Sequence, residues 1–150
     1  MKNRGFTLIE LLIVMSVVAI LVSIITPSFR SFQQEAWISK AEQELGTLQL
    51  AVESYYRHHD ALPADITTTL INASPKIISA ALPDPWETDT INKTYGFTRQ
   101  TINGSDYYVI YSKGMNGGTE WSWAADGSAS VTFPTNSDDI IKTNAAIQKE

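Results

Sequence analysis

One acidic side chain lies inside the most apolar stretch of this 150-residue sequence. Between residues 6 and 25 the polar side chains are few: Thr7, Glu10, Ser16 and Ser23. About 20 predominantly apolar residues are enough to cross a bilayer as a helix. An ionisable group in such a segment costs on the order of a few kcal/mol, so we expect Glu10 to have a function and a charged partner.

The residues that flank the apolar stretch indicate its orientation in the membrane and whether it is removed as a secretory signal. Lys2 and Arg4 precede it without an acidic residue, and positive residues beside a membrane helix stay cytoplasmic. The chain from Pro27 onward is therefore expected on the far side, the periplasm of a Gram-negative cell. A secretory signal ends in an A-x-A-like cleavage site, and none follows Ile25.

The hexapeptide Gly5-Phe6-Thr7-Leu8-Ile9-Glu10 resembles the processing and assembly motif of type IV pilins and type II secretion pseudopilins. The resemblance implies that a prepilin peptidase cuts between Gly5 and Phe6 and that Phe6 is then N-methylated. A freed amine at Phe6 and the Glu10 carboxylate could offset their desolvation only by pairing. The pair could form within one helix or between subunits, and the resemblance implies the neighbouring subunit. A plain membrane anchor that tolerates Glu10 is the alternative.

Composition limits the remaining possibilities. The chain has the length of one domain plus an extension, and its net charge of −5 disfavours nucleic acid as a partner. It has no cysteine, although exported domains of this size often use disulfides, so packing, neighbours or a metal must hold it together. Many type IV pilins close a C-terminal loop with a disulfide, whereas the major pseudopilin typically does not. The resemblance is therefore closest to the major, G-type pseudopilin.

The helical pattern continues beyond Pro27, which is expected to kink or locally open the helix and to serve assembly. An apolar stripe with heptad spacing follows and predicts a helix that ends near residues 58–60. A soluble coiled coil would show the same pattern, but strand-like segments follow, so we interpret the stripe as facing a sheet. Its members are Ile38, Ala41, Leu45, Leu48, Val52 and Tyr55.

Residues 60–93 read as an irregular segment with a short helix. Asp65 is a candidate cap for a turn through residues 67–70, and residues 74–82 have Ser74 and Pro75 as a helix start. The following Asp84-Pro85-Trp86 resembles a segment of the major pseudopilin. We expect Trp86 to fill the core.

The last third predicts an antiparallel sheet over residues 94–135. Strand-like residues 94–102 and 105–112 flank Asn103-Gly104, and residues 119–125 and 128–133 flank Asp126-Gly127. Both dipeptides are strong hairpin signals. The polar tail, residues 136–150, is expected to contain a short helix over residues 138–147. The predicted fold class is α+β, with a long N-terminal helix on three or four antiparallel strands.

One loop is a candidate calcium site. The stretch from Ser112 to Gly118 resembles the calcium loop of the major pseudopilin, with Asn116 at an aspartate position. Asp138 and Asp139 resemble the acidic end of that loop. Calcium prefers six to eight oxygen ligands, which these residues could supply only if the fold brings them together. An ordinary loop is the alternative.

No residue grouping predicts catalysis. His58 and His59 are adjacent, so on a helix their side chains diverge and cannot share a metal. We expect no enzyme and no phosphate-binding loop. The segments are a leader (1–5), a membrane or filament-core helix (6–26), its amphipathic continuation (27–59), the irregular segment (60–93), the sheet (94–135) and the tail (136–150).

The resemblance implies a single-pass inner-membrane precursor that assembles into a periplasmic pseudopilus for type II protein secretion. Its partners would be further copies of itself, other pseudopilins, the prepilin peptidase and methyltransferase, and an inner-membrane assembly platform. The alternative is a type IV pilin or minor pilin-like subunit used for adhesion, motility or DNA uptake. A membrane-tethered enzyme is a third class, for which the sequence offers no site.

Overall fold

The computed structural model describes residues 6–87 and 93–149. It has two helices, α1 (Leu8–His59) and α2 (Thr68–Ile71). Six strands follow: β1 (Gly96–Ile102), β2 (Ser105–Ser112), β3 (Ser122–Trp123), β4 (Ser130–Phe133), β5 (Ile140–Thr143) and β6 (Ala146–Lys149). The long helix and the small sheets confirm the predicted α+β fold. The chain forms two compact units, Met1–Ala36 and Trp37–Glu150.

The described part of the first unit is one helical segment, which is predominantly apolar up to Ile25. Thr7 precedes α1, and its hydroxyl oxygen accepts the backbone N–H of Glu10 at 3.3 Å, which is the geometry of an N-cap. The hydroxyls of Ser16, Ser23 and Thr26 donate to backbone carbonyls of the preceding helical turn, so these groups are satisfied locally. Pro27 lies inside α1, and the helix continues through it.

The C-terminal part of α1 buries its stripe in the core of the second unit. Leu45 and Val52 are fully buried and Leu48 is nearly so. Ile38 is 43% exposed, so the prediction that it belongs to the buried stripe is wrong. The helix ends at His59, as the pattern predicts, and Asp60 follows with φ +52°, a left-handed conformation common just beyond a helix. The stripe therefore faces the core of its own chain rather than a coiled-coil partner.

A three-stranded antiparallel sheet, sheet A, has the strand order β1-β2-β5. The hairpin between β1 and β2 turns at Asn103 and Gly104, with φ values of +52° and +79°. Positive φ at both central residues is the requirement of a type I′ turn, which Asn-Gly meets at low cost. The first predicted hairpin is confirmed.

A second sheet, sheet B, has the order β3-β4-β6, with β3 and β4 antiparallel and β4 and β6 parallel. The hairpin at Asp126-Gly127 is confirmed, although β3 contains only Ser122 and Trp123 of the longer strand that was predicted. The predicted helix over residues 138–147 is wrong. Those residues include β5 and the first half of β6, because pairing with β2 and β4 supplies the backbone hydrogen bonds that a helix would have made.

The segment between α1 and β1 contains a short helix, but at a different place from the one predicted. Asp65 accepts the backbone N–H groups of Thr67 and Thr69, at 2.9 and 3.2 Å, and so organises the start of α2. These hydrogen bonds, with those from the threonine hydroxyls, hold the pKa of Asp65 well below its usual range despite burial. The predicted helix over residues 74–82 is absent from this described segment, where Ile77, Ile78 and Leu82 pack against the core instead.

Within the second unit, two carboxylates of α1 connect the C-terminal part of the helix to residues of the sheet region. The Tyr95 hydroxyl donates to Glu44 at 2.7 Å, and the Tyr108 hydroxyl donates to Glu53 at 3.4 Å. Burial and the neighbouring Glu53 charge raise the pKa of Tyr108 to about 12. Both tyrosines are therefore donors at neutral pH, which stabilises one register of helix on sheet.

Candidate functional site

The N-terminal motif lies at the start of an uncovered helix. Phe6 is 83% exposed and Glu10 is also exposed, while Gly5 lies outside the described residues. The large apolar side chains from Leu8 to Ile25 are each about half or more exposed within the described structure. This helix is long and apolar enough to cross a membrane by length and composition. The roles of Gly5 and Phe6 in processing and of Phe6, Glu10 and Pro27 in assembly remain predictions.

Sequence analysis missed one feature of this motif. Thr7 and Glu10 have the spacing of a capping box, in which a threonine at the helix start precedes a glutamate by three residues. The Thr7 half of that arrangement is formed. Glu10 therefore stands in the first turn of a helix, where a carboxylate is also stabilised by the helix dipole.

The predicted calcium loop is brought together by the fold. The loop after β2 meets the residues that precede β5, and three carboxylates converge there: those of Glu120, Asp138 and Asp139. One oxygen of each lies within 4.8 Å of the others. Two ligands on opposite sides of a calcium ion are about 4.8 Å apart when each metal–oxygen distance is about 2.4 Å. The spacing therefore suits one such ion.

The carboxylates also hold the loop in shape. Asp138 Oδ2 accepts the backbone N–H groups of Met115 and Asn116, at 2.7 and 3.0 Å. Asp139 Oδ2 accepts the N–H of Glu120 at 2.7 Å. Gly114, with φ +62°, passes so close to Asp138 that a Cβ atom there would overlap it. Glycine is required at this point because both the backbone conformation and the approach exclude a side chain.

The remaining carboxylate oxygens have features of a cation site. Asp138 Oδ1 and Asp139 Oδ1 are buried atoms without a hydrogen-bond partner among the described residues. Burial and the neighbouring charges of Glu120 and Asp138 raise the pKa of Asp139. A buried acceptor that lacks a donor is costly, and a hard divalent cation would satisfy it. The donor set, three carboxylates, fits calcium.

Asn116 lies beside this cluster, but its side chain has other partners. Its Oδ1 accepts the Gly118 N–H at 2.7 Å, and its Nδ2 donates to Glu120 Oε1 at 2.8 Å. Asn116 therefore positions Glu120. Glu120 was absent from the sequence-based set, although its place at the end of the glycine-rich loop was the available signal.

Comparison with known proteins gives one family match at the N-terminus and several relatives of differing coverage. Residues 1–26 match the family model described as the prokaryotic N-terminal methylation motif. The chain is 42% identical to the type IV major pilin protein PilA of Myxococcus xanthus over 59 residues, which cover 39% of this chain and 27% of that pilin. The type IV major pilin PilE of Neisseria gonorrhoeae is 26% identical over 79% of this chain and 72% of its own length.

A further relative spans nearly the whole chain. The fimbrial protein of Neisseria meningitidis serogroup A is 25% identical over 99% of this chain and 88% of its own length. No solved structure matches the chain. The relatives are structural pilin and fimbrial proteins rather than enzymes, in agreement with the prediction that this chain is not an enzyme. The motif match and these relatives show that the chain is similar to type IV pilins, and the apolar helix fits a single-pass membrane anchor.

Proposed function

We propose that this chain is the repeating subunit of a type IV pilus-like filament. It would assemble after a prepilin peptidase has cut between Gly5 and Phe6 and Phe6 has been methylated. The match of residues 1–26 to the methylation motif is the observation that carries the proposal. The pilin and fimbrial relatives support the pilus in preference to the secretion pseudopilus.

The exposed apolar helix needs an apolar environment both before and after assembly. Before assembly, lipid would cover its side chains, and in the filament the same helices of neighbouring copies would cover them. Head-to-tail contacts whose symmetry operation does not close produce an open helical filament. An inner-membrane platform driven by an ATPase would extract each subunit from the bilayer. The second units would then form the filament surface.

Glu10 would select the position of each new subunit. In an apolar filament core, its carboxylate and the N-terminal amine of Phe6 on a neighbouring copy would each be costly alone. A salt bridge between them offsets the desolvation cost only when the two subunits are correctly positioned. The charge pair therefore favours ordered stacking over random association of apolar helices. Pro27 would permit local opening of the helix where copies pack most closely.

The proposal is tested by the mass of the N-terminus and by electron microscopy of filaments in a host with a prepilin peptidase. We expect a mature chain that begins with N-methylated Phe6, and normal filaments for the control Glu35→Ala. Glu10→Ala should be cleaved and inserted normally but give at least tenfold fewer filaments. Glu10→Gln keeps a capping side chain without the charge, so it should fail as well.

Three outcomes would contradict these assignments. An uncut leader would overturn the maturation step. Abundant filaments from Glu10→Gln would show that the charge is dispensable and that helix capping explains this residue. Normal filament formation by Pro27→Ala would remove the proposed role of the proline.

A type II secretion pseudopilin is the second candidate. The absence of cysteine, the Asp84-Pro85-Trp86 segment and the convergence of Glu120, Asp138 and Asp139 favour it. Deleting the gene separates the candidates, because a pilin mutant should lose surface filaments, whereas a pseudopilin mutant should keep them and accumulate secreted proteins in the periplasm.

Calcium binding is proposed for the loop in either candidate. Glu120, Asp138 and Asp139 would hold the ion, whose charge would neutralise their mutual repulsion. We expect calcium to raise the melting temperature of the full-length protein and of the control Asp126→Asn, which changes an acid outside the cluster. Asp138→Asn and Asp139→Asn should lose this effect. A calcium response unchanged in both variants would contradict the assignment.

A further inference from the structure

Strand β5 covers only part of the β2 edge that it pairs with. Strand β2 begins at Ser105, but its pairing with β5 starts at Val109, opposite Thr143. The outward backbone groups of Asp106 and Tyr108 therefore lie beyond the end of β5. In an antiparallel pair, each such residue offers both an N–H and a C=O to the next strand.

Side chains occupy most of these backbone groups. Asn144 Oδ1 accepts the Tyr108 N–H at 2.9 Å, and Asn144 Nδ2 donates to the Asp106 carbonyl at 3.0 Å. The Thr143 hydroxyl donates to the Tyr108 carbonyl. Two residues carry four outward groups, and three of them are bound in this way. The two side chains thus take the place of a further rung of the sheet.

The same residues end β5 and turn the chain away. The Thr143 hydroxyl oxygen also accepts the Ala145 N–H at 3.0 Å, after which Ala146 begins β6 in the other sheet. The backbone therefore leaves the β2 edge at the point where the side chains take over its hydrogen bonds.

The space beside this edge is open. A groove of 580 Å³ is lined by Asp106, Tyr107, Tyr108 and Asn144 on one side and by Glu53, Tyr56 and Arg57 of α1 on the other. An unpaired strand edge next to open space is a template for another strand.

We propose that Thr143 and Asn144 form an edge plug, which blocks addition of a second copy of this chain to sheet A. The blocked partner is the β2 strand of that copy in antiparallel orientation. A two-fold axis at Tyr107 would place Asp106 of each copy opposite Tyr108 of the other, so that the edge is complementary to itself. The plug would restrict association between copies to other surfaces, and it acts whether or not the chain forms filaments.

The test uses the full-length protein in detergent and one introduced cysteine, since the sequence has none. In the proposed pairing, Tyr107 faces itself with a Cα separation of about 4.5 Å, which a disulfide can bridge. Tyr107→Cys should form little cross-linked dimer alone and at least fivefold more when combined with Asn144→Ala. The matched control, Asn136→Ala, makes the same change at an exposed tail residue and should have no effect.

Amide hydrogen exchange provides the second measurement. Losing the Asn144 bond should speed exchange at Tyr108 by about fivefold, while exchange at the buried residues Val109 and Ile110 stays unchanged. Equal exchange rates of the Tyr108 amide in the wild-type protein and in Asn144→Ala would overturn the proposal, because the Asn144 hydrogen bond would then give no protection. Faster exchange without more cross-linking would overturn it too, because the exposed edge would not accept a second copy.

Discussion

The two halves of α1 have similar apolar side chains but opposite surroundings. Leu12 and Ile20 in the first half are 60% and 61% exposed, whereas Leu45 in the second half is fully buried. Apolar side chains therefore indicate that a surface must be shielded from water, but they do not indicate which molecule shields it. The second half finds that cover in the strands and loops of its own chain. The first half has no such cover among the described residues, and the proposed function supplies it from lipid or from other copies.

Polar groups show the same contrast. In the first half, the Ser16 and Ser23 hydroxyls donate to carbonyls of their own helix, so these two groups need no polar partner from outside. In the second half, Glu44 and Glu53 bond to tyrosines that are distant in sequence. Hydrogen bonds within one helix suit a segment that is surrounded by lipid or by copies of itself. Long-range hydrogen bonds suit a helix with one fixed register.

The largest expected effect tests the two sources of cover directly. Leu45→Ala should lower the free energy of unfolding of the second unit by about 2–5 kcal/mol, because it leaves a cavity in the core. Leu12→Ala should change it by less than about 0.5 kcal/mol. Chemical denaturation followed by near-ultraviolet circular dichroism measures both. Equal losses would show that the first half also contributes to the fold of the second unit.

Two glycine-to-alanine substitutions compare an open helix surface with a packed sheet. A Cβ at Gly96 would overlap the Tyr111 ring, so Gly96→Ala should cost about 1–3 kcal/mol of unfolding free energy. Gly46 has nothing within 4 Å of a Cβ position, and Gly46→Ala should gain about 1 kcal/mol. Thermal melts of both variants provide the check. A gain of stability in Gly96→Ala would contradict the packing around Gly96, and a loss in Gly46→Ala would contradict the open space at Gly46.

The smallest effect concerns a buried acid in the second unit. Asp84 is 3% exposed, and burial raises its pKa, with the Glu87 and Glu44 charges adding to the rise. Its native pKa lies above the unfolded value, so unfolding free energy should fall as pH rises from about 3.8 through that higher pKa. Asp84→Asn should flatten this part of the stability profile, and the control Asp126→Asn should not. If Asp84→Asn left the pH dependence of the unfolding free energy unchanged, the raised pKa would not belong to Asp84.

Local signals predicted the local elements of this fold. Asn103-Gly104 and Asp126-Gly127 marked both hairpins, Asp65 marked the turn before α2, and the apolar stripe marked α1 to its last residue. Each rests on backbone preferences or periodicity within a few residues. The Ser74-Pro75 helix signal was equally local, yet Ile77 and Ile78 were recruited to the core and no helix formed there.

The candidate site depended more on contacts between distant residues. Asp138 and Asp139 were predicted from their resemblance to the acidic end of a calcium loop, whereas Glu120 joins them only because the fold brings its loop to the residues before β5. Asn116 had the right position in sequence and a different role, because its amide was already engaged by Gly118 and Glu120. Spacing along a chain does not show which oxygen is left free.

The apolar helix and the two hairpin turns could be predicted from the sequence alone, because each depends on side chains that are neighbours along the chain. The leader remains a prediction. Only the tertiary structure decided that the tail becomes β5 and β6 and that β6 runs parallel to β4. The tail residues have no turn or period that fixes their partners. Their state follows from the unpaired strand edges that the rest of the fold offers them.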